Sequence, residues 1–346
     1  MLLPEHVDRY RNLPFNMEFT NIKEEPPHFH RELEIAFVLR GWVKYKMFNQ
    51  FFPATRGQMV IVETEDLHYI CDSSDNLIMI TTHIDLVHFG DRYPDIDYMV
   101  FACEYDEEDD EETRQRLMNK VSVFKTYLSE LMYMTLADNA DDSLVSDKLD
   151  TIIAAMVEHL QGFHFDNYVF KTFHDPASQN NLQKLYGIYK YIYTHYSDKL
   201  TLESVAKATG FSPFYISHLV KDVSGLTFQE LINYTRVEFA EIWMQDESLS
   251  LTQVSEFSGF SSPSYFNKCF KAWHGITPAE YKKQARPKER VRHCELNQNE
   301  CLAILREYIQ NPIDLTSSRR SELNDIIKGL DGESLQLLLQ VARRLK

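Results

Sequence analysis

Two histidines and a glutamate lie close together near the start of the chain and could bind a metal ion or a polar ligand. His28 and His30 are followed by Glu34, and His68 comes later in the sequence. Because alternate residues of a β-strand point to one face, a strand here would place His28, His30, Glu32 and Glu34 together. Three histidines and one glutamate suit iron, manganese, nickel or zinc and leave coordination positions open for a small molecule.

The same residues are compatible with two metal-free interpretations. In the first, these polar groups line an effector pocket and bind the hydroxyl or carboxylate groups of a small molecule. In the second, this face of the strand meets solvent, and Ile35, Phe37 and Leu39 form the core-facing side. Short motifs match by chance at an appreciable rate, so all three interpretations stay open at this point.

Short β-rich runs separated by turns surround these residues, from about residue 19 to residue 105. Examples are LEIAFVLR, WVKYKMF, QMVIVE and NLIMITTHI. Regularly spaced short strands predict a sandwich or a small barrel. The segment HFHRELEIAFVLRG, together with Gly57 and His68, resembles in its spacing the two motifs of the cupin barrel. In cupins, two histidines, one glutamate and a later histidine converge on a metal, so the resemblance implies the same convergence here.

A second feature of the chain is a duplicated pattern in its C-terminal half. Residues 200–227 and 249–277 share eleven identical positions when one extra serine is allowed in the second copy. Each copy predicts a short helix, a Gly-Phe-Ser turn and a second helix that begins at Pro213 or Pro263. This arrangement is the local signature of a helix-turn-helix DNA-binding motif. One copy alone would be equally typical of an ordinary helical bundle, but two copies in register favour DNA binding.

The second helix of each copy has an apolar face and a polar face at helical spacing. The predicted inward-facing residues are Ile216, Leu219, Val220 and Val223 in the first copy and Phe266, Cys269, Phe270 and Trp273 in the second. The predicted DNA-facing residues are Phe214, Ser217, His218 and Lys221 in the first copy and Ser264, Asn267, Lys268 and Lys271 in the second. The polar members of this set are of the types that bind base edges or phosphates.

Residues 228–245 connect the two copies and predict one long helix, because they contain no glycine or proline. At ~1.5 Å per residue such a helix would span roughly 27 Å. Two recognition helices that enter one face of DNA lie about one helical turn, ~34 Å, apart. The connecting helix therefore suits two recognition helices that contact adjacent major-groove segments.

The repeated region resembles the AraC/XylS family of bacterial transcription regulators. The similarity covers residues 182–284, and the segment GFSSPSYFNKCFKAWHGITPAEYKK is similar to the most specific signature of that family. The resemblance implies base-facing positions for Ser217, His218, Asn267 and Lys268, and positions near the DNA backbone for Lys221 and Lys271. It also implies double-stranded DNA as a partner, together with a small-molecule effector such as a sugar, RNA polymerase and a second copy of the chain.

The charge of the chain is distributed unevenly. The net charge is −16, yet residues 1–180 hold 15 Lys and Arg against 33 Asp and Glu, whereas residues 181–287 hold 11 against 10. DNA binding would therefore rest on the placement of a few cations, while the acidic half limits non-specific adhesion by repulsion. No apolar run approaches the ~20 residues of a membrane span, and the N-terminus differs from a secretory signal. The sequence thus predicts a cytoplasmic protein without a membrane partner.

Helical patterns fill the remaining segments. Residues 112–136 and 143–161 predict two amphipathic helices, which would form a dimer interface or pack against the barrel. The segment DPASQNN at 175–181 predicts a linker. Three further helices are predicted beyond residue 284, at 296–310, 318–328 and 333–345. In the last of them, the run SLQLLLQVARRL has leucines over a broad arc and would contact a partner or cover the DNA-binding domain.

These patterns predict a multidomain α+β protein with an N-terminal cupin-like antiparallel β-barrel plus helices, an all-α tandem helix-turn-helix domain and a helical C-terminal extension. The predicted boundaries are 1–110 for the barrel, 111–172 for the helical dimerisation region, 173–181 for the linker, 182–287 for the DNA-binding domain and 288–346 for the extension. The predicted function is that of a one-component transcription regulator and not an enzyme. The one cofactor that the sequence indicates is a divalent metal in the barrel.

Two alternative functions remain open from the sequence. One is a metal-dependent cupin enzyme fused to a helical domain, which would be distinguished by its metal content and by loss of metal on substitution of His30 or Glu34. The other is a constitutive DNA-binding protein whose barrel serves only for dimerisation. That alternative predicts that no small molecule changes the affinity for DNA.

Overall fold

The structure, a computed structural model, describes residues 4–47, 50–101, 103, 111–136, 141–160, 176–284 and 286–310. The helices predicted at 318–328 and 333–345 lie outside these residues, as do most of the acidic run at 104–112 and the start of the predicted linker. Within the described ranges, none of the helices combines the length and the apolar composition needed to cross a membrane.

The N-terminal part, here called the β-domain (residues 4–101), is built from antiparallel strands. They are β1 (Phe15–Thr20), β2 (Ile22–Glu24), β3 (Leu33–Arg40), β4 (Trp42–Met47), β5 (Gln50–Thr55), β6 (Met59–Val62), β7 (His68–Ser73) and β8 (Ile78–Ile84). One sheet has the strand order β1-β8-β3-β6, and a second has the order β5-β4-β7. Runs rich in valine, isoleucine and aromatic residues favour such strands because they pack well on a pleated surface.

Strand β3 is buried on both of its faces. Ala36 and Val38 join the apolar cluster between the two sheets, whereas Ile35 and Phe37 join a larger cluster formed with the helices. Glu34, on the same face as Ala36, is also buried. The interpretation in which the histidine and glutamate face meets solvent is therefore wrong, because a second sheet covers that face.

In place of the predicted barrel, the β-domain has two facing sheets. The segment after β2 attaches to β7 of the second sheet. The Glu25 N–H donates to the Ile70 carbonyl (3.0 Å), and His28 forms an isolated antiparallel bridge with His68. Among the described strands, the hydrogen-bonded ladders do not close into a single ring. This arrangement leaves room for a pocket between the sheets.

Two helices lie beside the four-stranded sheet, α1 (Glu111–Leu136) and α2 (Asp142–His159), with bounds close to those predicted. Helix α1 packs against β1, and α2 packs against α1. The apolar stripes of both helices are buried within this chain, through Phe124 and Leu128 on α1 and Ile152 on α2. These stripes therefore serve intramolecular packing and are not available as a dimer interface.

Helix α3 (Pro176–Thr194) occupies most of the predicted linker at 173–181, so that prediction is wrong from Pro176 onward. Proline is tolerated in a first helical turn, and an apolar stripe at helical spacing follows it. Leu182, Leu185 and Tyr186 of this stripe are fully buried. The stripe supplies the tertiary contacts that make the segment helical.

Helix α3 also connects the β-domain to the helices that follow. Lys190 Nζ lies 2.7 Å from Asp95 Oδ1, and the Tyr193 hydroxyl donates to Glu65 Oε2 (2.8 Å). The same helix packs against three later helices, introduced next as α4, α5 and α6. The part of α3 from Leu182 to Tyr193 is therefore a packed joint between two parts of the protein.

The duplicated pattern folds into two helix-turn-helix copies, as predicted. The helices are α4 (Leu202–Thr209) and α5 (Pro213–Ser224) in the first copy, α6 (Phe228–Trp243) as the connection, α7 (Leu251–Phe257) and α8 (Pro263–His274) in the second copy, and α9 (Pro278–Lys282) after it. Helix α6 ends two residues before the predicted end at 245. Both copies are confirmed.

Matching local signals begin and end the second helix of each copy. The side chains of Ser212 and Ser262 accept hydrogen bonds from backbone N–H groups of the first turn, which caps α5 and α8. Gly225 and Gly275 end these helices in the left-handed conformation, with φ of 74° and 71°. Glycine adopts this conformation without steric cost, so each copy stops at an equivalent point.

The C-terminal extension contains β9 (Val291–Arg292) and α10 (Gln298–Gln310), the latter close to the helix predicted at 296–310. Strand β9 pairs antiparallel with β2, and α10 packs against β3 and α1. The Phe37 and Tyr308 rings lie 5.0 Å apart. Strand pairing and apolar contacts therefore hold the described part of the extension on the β-domain, whereas the leucine-rich run SLQLLLQVARRL, predicted to contact a partner or cover the DNA-binding domain, lies outside the described residues.

Candidate nucleic-acid interface and β-domain pocket

The second helix of each copy presents a polar face to solvent. On α5, Phe214, His218 and Lys221 are exposed, and Ser217 is half-buried. On α8 the four predicted residues, Ser264, Asn267, Lys268 and Lys271, are all exposed. The eight predicted side chains therefore lie on two equivalent helix faces that another molecule can approach.

The opposite faces of α5 and α8 form the predicted cores, with one exception. The buried residues are Ile216, Leu219, Val220 and Val223 on α5 and Phe266, Cys269 and Phe270 on α8. Trp273, predicted to be buried, is half-buried, and its ring lies 5.0 Å from that of Tyr234. An indole is rarely enclosed completely because of its size, which explains the difference.

Several exposed polar side chains form hydrogen bonds within their own helices. The Asn267 amide donates to the Pro263 carbonyl (2.9 Å), and Lys221 Nζ donates to the Gly225 carbonyl (2.5 Å). The His218 and Phe214 rings are in contact at a tilt of 35°, with centroids 4.0 Å apart. Because these bonds are exposed to water, they can be exchanged for bonds to a base or a phosphate at a small net cost.

Helix α6 holds the two copies in a defined relation. It packs against α5 on one side and α8 on the other, and the Asn233 amide donates to the Tyr265 hydroxyl (2.9 Å). The Arg236 guanidinium fixes α6 to the end of α3, donating to the carbonyls of Tyr196 and Asp198 (both 2.8 Å). A helix with such contacts acts as a rigid connection between α5 and α8.

A family model described as a helix-turn-helix domain matches residues 205–284, from within α4 to just beyond α9. This segment is an AraC-type helix-turn-helix domain. The resemblance identified from the sequence at 182–284 is thereby confirmed for this domain. Helices α4 to α9 are called the helix-turn-helix domain below.

Curated relatives extend the match beyond the helix-turn-helix domain. An uncharacterized HTH-type transcriptional regulator of Staphylococcus aureus (strain MSSA476) is 24% identical over 261 residues, which are 75% of this chain and 33% of the relative. The HTH-type transcriptional regulator YijO of Escherichia coli (strain K12) is 36% identical over 98 residues, which are 28% of this chain and 35% of the relative. The chain spans about a third of the length of these curated relatives.

Among solved structures, that of ToxT from Vibrio cholerae O395 matches this chain. It is 14% identical, and the alignment covers 78% of this chain and 98% of that chain with a TM-score of 0.39.

A pocket of about 270 Å³ lies in the β-domain, between the sheets and the N-terminal segment. His28, His30 and Glu34 line it, as the sequence predicted, and His83 and Tyr45 line it as well. His68 is fully buried and lies behind them, with its ring centroid 4.9 Å from that of His30. The four predicted residues therefore converge, with their ligand atoms within 4.8 Å of one another.

The Glu34 carboxylate is the centre of this cluster. Its Oε2 lies 3.3 Å from His30 Nε2, 3.2 Å from His83 Nε2 and 3.4 Å from His68 Nε2. The Tyr45 hydroxyl donates to the other oxygen, Oε1 (2.8 Å). One carboxylate oxygen is thus surrounded by three imidazole nitrogens, while the phenol fixes the orientation of the carboxylate.

The backbone determines how three of the histidine rings are oriented. The Nδ1 atoms of His28, His30 and His68 each lie 2.9–3.0 Å from a carbonyl oxygen two residues away. A carbonyl can only accept, so each Nδ1 must carry a proton. In the neutral ring, Nε2 is then an unprotonated atom with a lone pair, and it points into the cluster.

Burial and mutual charge perturb the ionisation of these groups. Burial, with His68 nearby, lowers the pKa of His28 to about 2, so the His28 ring is neutral. Burial alone would raise the pKa of Glu34 and lower that of His30. The hydrogen bond between the two groups instead holds the pKa of Glu34 well below its usual range and raises that of His30, which favours a second proton on the His30 ring, at Nε2. The cluster therefore contains an ionised carboxylate and at least one neutral imidazole.

Sequence reasoning missed some pocket residues and placed another wrongly. His83 lies opposite Glu34 in the β3–β8 ladder, so its role depends on a strand register that the sequence alone does not give. Glu32, expected on the same face, contributes its backbone carbonyl to His30 and lies outside the pocket lining. The reason is that β3 begins only at Leu33, so the alternation assumed for residues 28–34 does not apply there.

A residue from the C-terminal extension, Arg290, also lines the pocket. Arg290 lies 3.0 Å from Glu25 Oε2 through Nε and 2.9 Å from Glu5 Oε1 through Nη2. Burial and the neighbouring Glu34 raise the pKa of Glu25 to about 7. Arg290 thus links the pocket wall to the chain segment that leaves the helix-turn-helix domain.

A second cavity, of about 140 Å³, lies where the β-domain meets α3 and α6. Glu63 and Asp66 of the β-domain and Glu238 of α6 line it. The Phe101 N–H donates to Glu63 Oε1 (2.7 Å), and the Tyr189 hydroxyl donates to Glu238 Oε2 (3.3 Å). This cavity is part of the contact between the β-domain and the helix-turn-helix domain.

Proposed function

We propose that the protein is a DNA-binding transcription regulator that reads two adjacent major-groove segments with α5 and α8. The observation that carries this proposal is the equivalent placement of eight predicted side chains, seven exposed and Ser217 half-buried, on two duplicated helices of an AraC-type domain. In a helix-turn-helix, the second helix enters the major groove and its exposed residues contact base edges. Acting on DNA would require a cytoplasmic location.

The side-chain types support a division of roles. Ser217, His218, Asn267 and Lys268 would contact base edges, because their donors and acceptors match those displayed in the major groove. Lys221 and Lys271 would neighbour phosphates. At the start of the two helices, Phe214 would offer an apolar contact to a thymine methyl group and Ser264 a hydroxyl to a base or a phosphate.

Binding to a selected operator tests this proposal. A DNA site would first be isolated from a random library with the full chain, and affinity measured by fluorescence anisotropy. Asn267→Ala and Lys268→Ala should each weaken specific binding by about 1–3 kcal/mol. Lys23→Ala, an exposed lysine on β2, is the charge-matched control for Lys268→Ala and should bind as the parent does.

Two outcomes would count against the assigned roles. Equal weakening on the operator and on scrambled DNA would reassign Asn267 and Lys268 to the DNA backbone. Unchanged affinity for both variants would contradict the proposal that α8 reads DNA.

We also propose that the β-domain pocket binds a small-molecule effector and does not catalyse a reaction. Polar groups of Asn16, Glu18, Thr20 and Thr81 line the wall beside the histidine cluster. Such groups suit a ligand rich in hydroxyl groups, such as a sugar. The test is DNA affinity in the presence of a panel of monosaccharides, with His83→Ala as pocket variant and the exposed His88→Ala as matched control. If no compound changes the affinity of the parent protein, the β-domain is not a sensor of this class.

The contact of Arg290 suggests how the pocket would communicate with DNA. Helix α9 ends at Lys282, and the chain reaches the pocket mouth at Arg290 and then pairs with β2. A ligand that favours one position of the segment between α9 and β9 would shift the orientation of the helix-turn-helix domain. Arg290→Gln should abolish the effector response, whereas Arg40→Gln, which breaks the contact of Arg40 with Glu300 on α10, should keep it.

Further partners follow from this proposal. Regulation of transcription implies RNA polymerase as a partner, and a homodimer would allow two operator copies to be bound. Leu144 of α2 and Val123 of α1 are apolar and exposed, at 58% and 49%, and would contribute to the dimer contact. Sedimentation of the full chain and of Leu144→Glu would test this: a variant that dimerises as the parent does would exclude this surface.

A further inference from the structure

We propose that the loop between α3 and α4, residues 195–201, acts as a spacer that sets the position of α8 relative to α5. It does so through a direct backbone contact with Gly259, in the turn of the second copy. This role rests on the proposed function, since it concerns how two recognition helices are spaced to reach two DNA segments. Gly259 is then a positioning residue for α8.

Each copy has a glycine at the same place in its turn. Gly210 follows α4 and Gly259 follows α7, and both adopt the left-handed conformation, with φ of 77° and 76°. A side chain at either position would be strained to the same extent by this backbone conformation. The turn itself therefore requires a glycine equally in both copies.

The space around the two glycines differs. A Cβ atom at Gly210 would meet no atom from elsewhere in the described chain within 4 Å. A Cβ atom at Gly259 would lie 2.6 Å from the Ser197 Cα and 2.7 Å from the Tyr196 carbonyl oxygen. Both are backbone atoms, which cannot move aside as the end of a flexible side chain can. The turn of the second copy therefore lies against the α3–α4 loop at a distance that only glycine permits.

The other side of the loop is held by α6. The Arg236 guanidinium donates to the carbonyls of Tyr196 and Asp198 (both 2.8 Å). The Tyr196 ring stacks on that of Phe239, with centroids 3.6 Å apart and planes at 8°. Because charge-assisted hydrogen bonds and a stacked ring fix the loop on α6, it cannot retreat from Gly259.

The contact is linked to α8 through the core of the second copy. Phe260, next to Gly259, is buried in that core, and its ring lies 5.2 Å from the ring of Phe266 on α8. Phe266 faces inward on the helix whose outer face carries Asn267 and Lys268. Closely packed side chains transmit a shift, so a displacement of the turn would move α8.

The same loop is fixed to the first copy and to the β-domain. It leads into α4, where the Thr201 hydroxyl accepts a hydrogen bond from the Ser204 N–H (3.1 Å) and caps the helix. It follows directly on α3, whose Lys190 and Tyr193 contact the β-domain. A movement of the β-domain that is passed along α3 would therefore reach α8 through the loop as well as through α6.

A purely local role for Gly259 is the competing explanation. In that case the glycine serves only the left-handed turn, and alanine should have the same effect at Gly210 and at Gly259. The two explanations differ in what alanine does to the preferred spacing of the DNA segments. One added base pair moves a segment by ~3.4 Å along the duplex and rotates it by ~35°, so a small displacement of α8 changes which spacing fits.

The full-length protein would be titrated by fluorescence anisotropy with the selected operator, with versions that have one base pair inserted or removed between the segments, and with a version whose α5 segment is scrambled. The parent should prefer the operator over the better respaced version by about tenfold, the cost of one lost base contact. Gly210→Ala should keep this preference. Gly259→Ala should lower it to about twofold or less, yet bind the scrambled version within about twofold of the parent, since α8 itself is intact.

A second pair of variants tests the loop from the side of α6. Tyr196→Ala removes the ring that stacks on Phe239 and should lower the spacing preference as Gly259→Ala does. Tyr196→Phe keeps the stacked ring and should keep the preference. Tyr196 is half-buried, so these variants decide the question if circular dichroism shows that Gly259→Ala does not fold.

An unchanged spacing preference in folded Gly259→Ala would overturn the spacer role, as would an equal loss of preference in Gly210→Ala. If Gly259→Ala does not fold, an unchanged preference in Tyr196→Ala would overturn it. Weaker binding of Gly259→Ala to the scrambled version would also do so, because α8 itself would then be damaged. A parent protein without any spacing preference would instead contradict the proposed reading of two segments, so the two failures are distinguishable.

Discussion

The two helix-turn-helix copies share a fold but differ in how they are built into the protein. The buried residues of α5 are aliphatic, and they belong to one apolar cluster that also includes α3, α1 and the outer face of the sheet. The second copy has its own cluster, rich in aromatic residues, in which the rings of Phe266 and Phe270 lie 5.6 Å apart. The first copy is thus packed together with the β-domain, whereas the second is a separate core.

Under the proposed function, this difference would separate two tasks between the copies. The exposed face of α8 carries Asn267, Lys268 and Lys271, whereas α5 carries one lysine, Lys221, among its predicted contacts. The second copy therefore has the stronger charge and the independent core, which suit an anchor on DNA. The first copy, joined to the β-domain through α3, is in the better place to respond to the pocket.

The largest expected effect is on the stability of the second core. Phe270→Ala removes a fully buried ring and should destabilise the second copy by about 3–5 kcal/mol. Ile216→Val in the first copy should cost only about 0.5–1.5 kcal/mol. Denaturant unfolding followed by circular dichroism checks both values. If Phe270→Ala also unfolds the β-domain in the same transition, the two cores are not independent.

The next effect is a pH dependence located in the second copy. Glu241 is buried, and burial raises its pKa from an ordinary 4.5 to about 7, although the Tyr281 hydroxyl donates to it (2.6 Å). A raised pKa means that the folded state binds a proton more tightly than the unfolded state, so protonation of Glu241 increases the free energy of unfolding. This contribution is complete below pH 4.5 and is lost as pH rises through about 7. At ~1.4 kcal/mol per pKa unit, the loss in the free energy of unfolding would be at most about 3.5 kcal/mol.

Unfolding of the second copy would be measured at pH 5 to 8.5, in the parent protein and in Glu241→Gln. Glutamine keeps a hydrogen-bond acceptor for Tyr281 but does not titrate, so its curve should be flatter than that of the parent. His274, Arg286 and Lys46 also face Glu241, and their charges are common to both proteins. An equal slope in both proteins would place the pH dependence elsewhere.

The third effect compares the two recognition helices directly. Asn267→Ala should weaken specific DNA binding by about 1–3 kcal/mol, the cost of losing a good base contact. Ser217→Ala should cost less, because Ser217 is half-buried and offers a single hydroxyl. Parallel anisotropy titrations on the selected operator would check this order. A greater loss for Ser217→Ala would reverse the roles assigned to the two copies.

The smallest effect concerns the salt dependence of binding. Lys271→Ala should reduce the slope of log affinity against log salt by about 1, as expected for one lost phosphate contact. Lys221→Ala should reduce the slope similarly. Its effect on affinity should be smaller, because Lys221 must give up its bond to the Gly225 carbonyl when it binds a phosphate. Affinity measured over several salt concentrations gives these slopes. An unchanged slope for both variants would show that neither lysine contacts a phosphate.

Local signals explain why much of the fold could be predicted from the sequence. Serine caps, first-turn prolines and C-terminal glycines lie next to the helices that they bound, so both copies could be found without tertiary information. The four predicted pocket residues could be found for a similar reason, because His28, His30 and Glu34 lie close together in sequence. The pairing of these residues with His68 required the cupin-like spacing.

The remaining features depend on contacts between distant segments. His83 joins the pocket through the β3–β8 register, and Arg290 joins it through the pairing of β9 with β2. No local pattern encodes either pairing. The linker prediction failed from Pro176 onward because packing outweighs local composition. The polar residues of DPASQNN precede an apolar stripe, and the tertiary contacts of that stripe extend the helix back to Pro176.

The measurement that tests the account most directly is the binding of the full chain to its operator with a half helical turn of DNA inserted between the two contacted segments. An insertion of about 5 base pairs rotates one segment to the opposite face of the duplex, which α5 and α8 cannot reach together because α6 holds them rigidly. We predict that affinity then falls to the level of an operator with one segment scrambled. Unchanged affinity after the insertion would contradict the claim that both helices read one face of DNA.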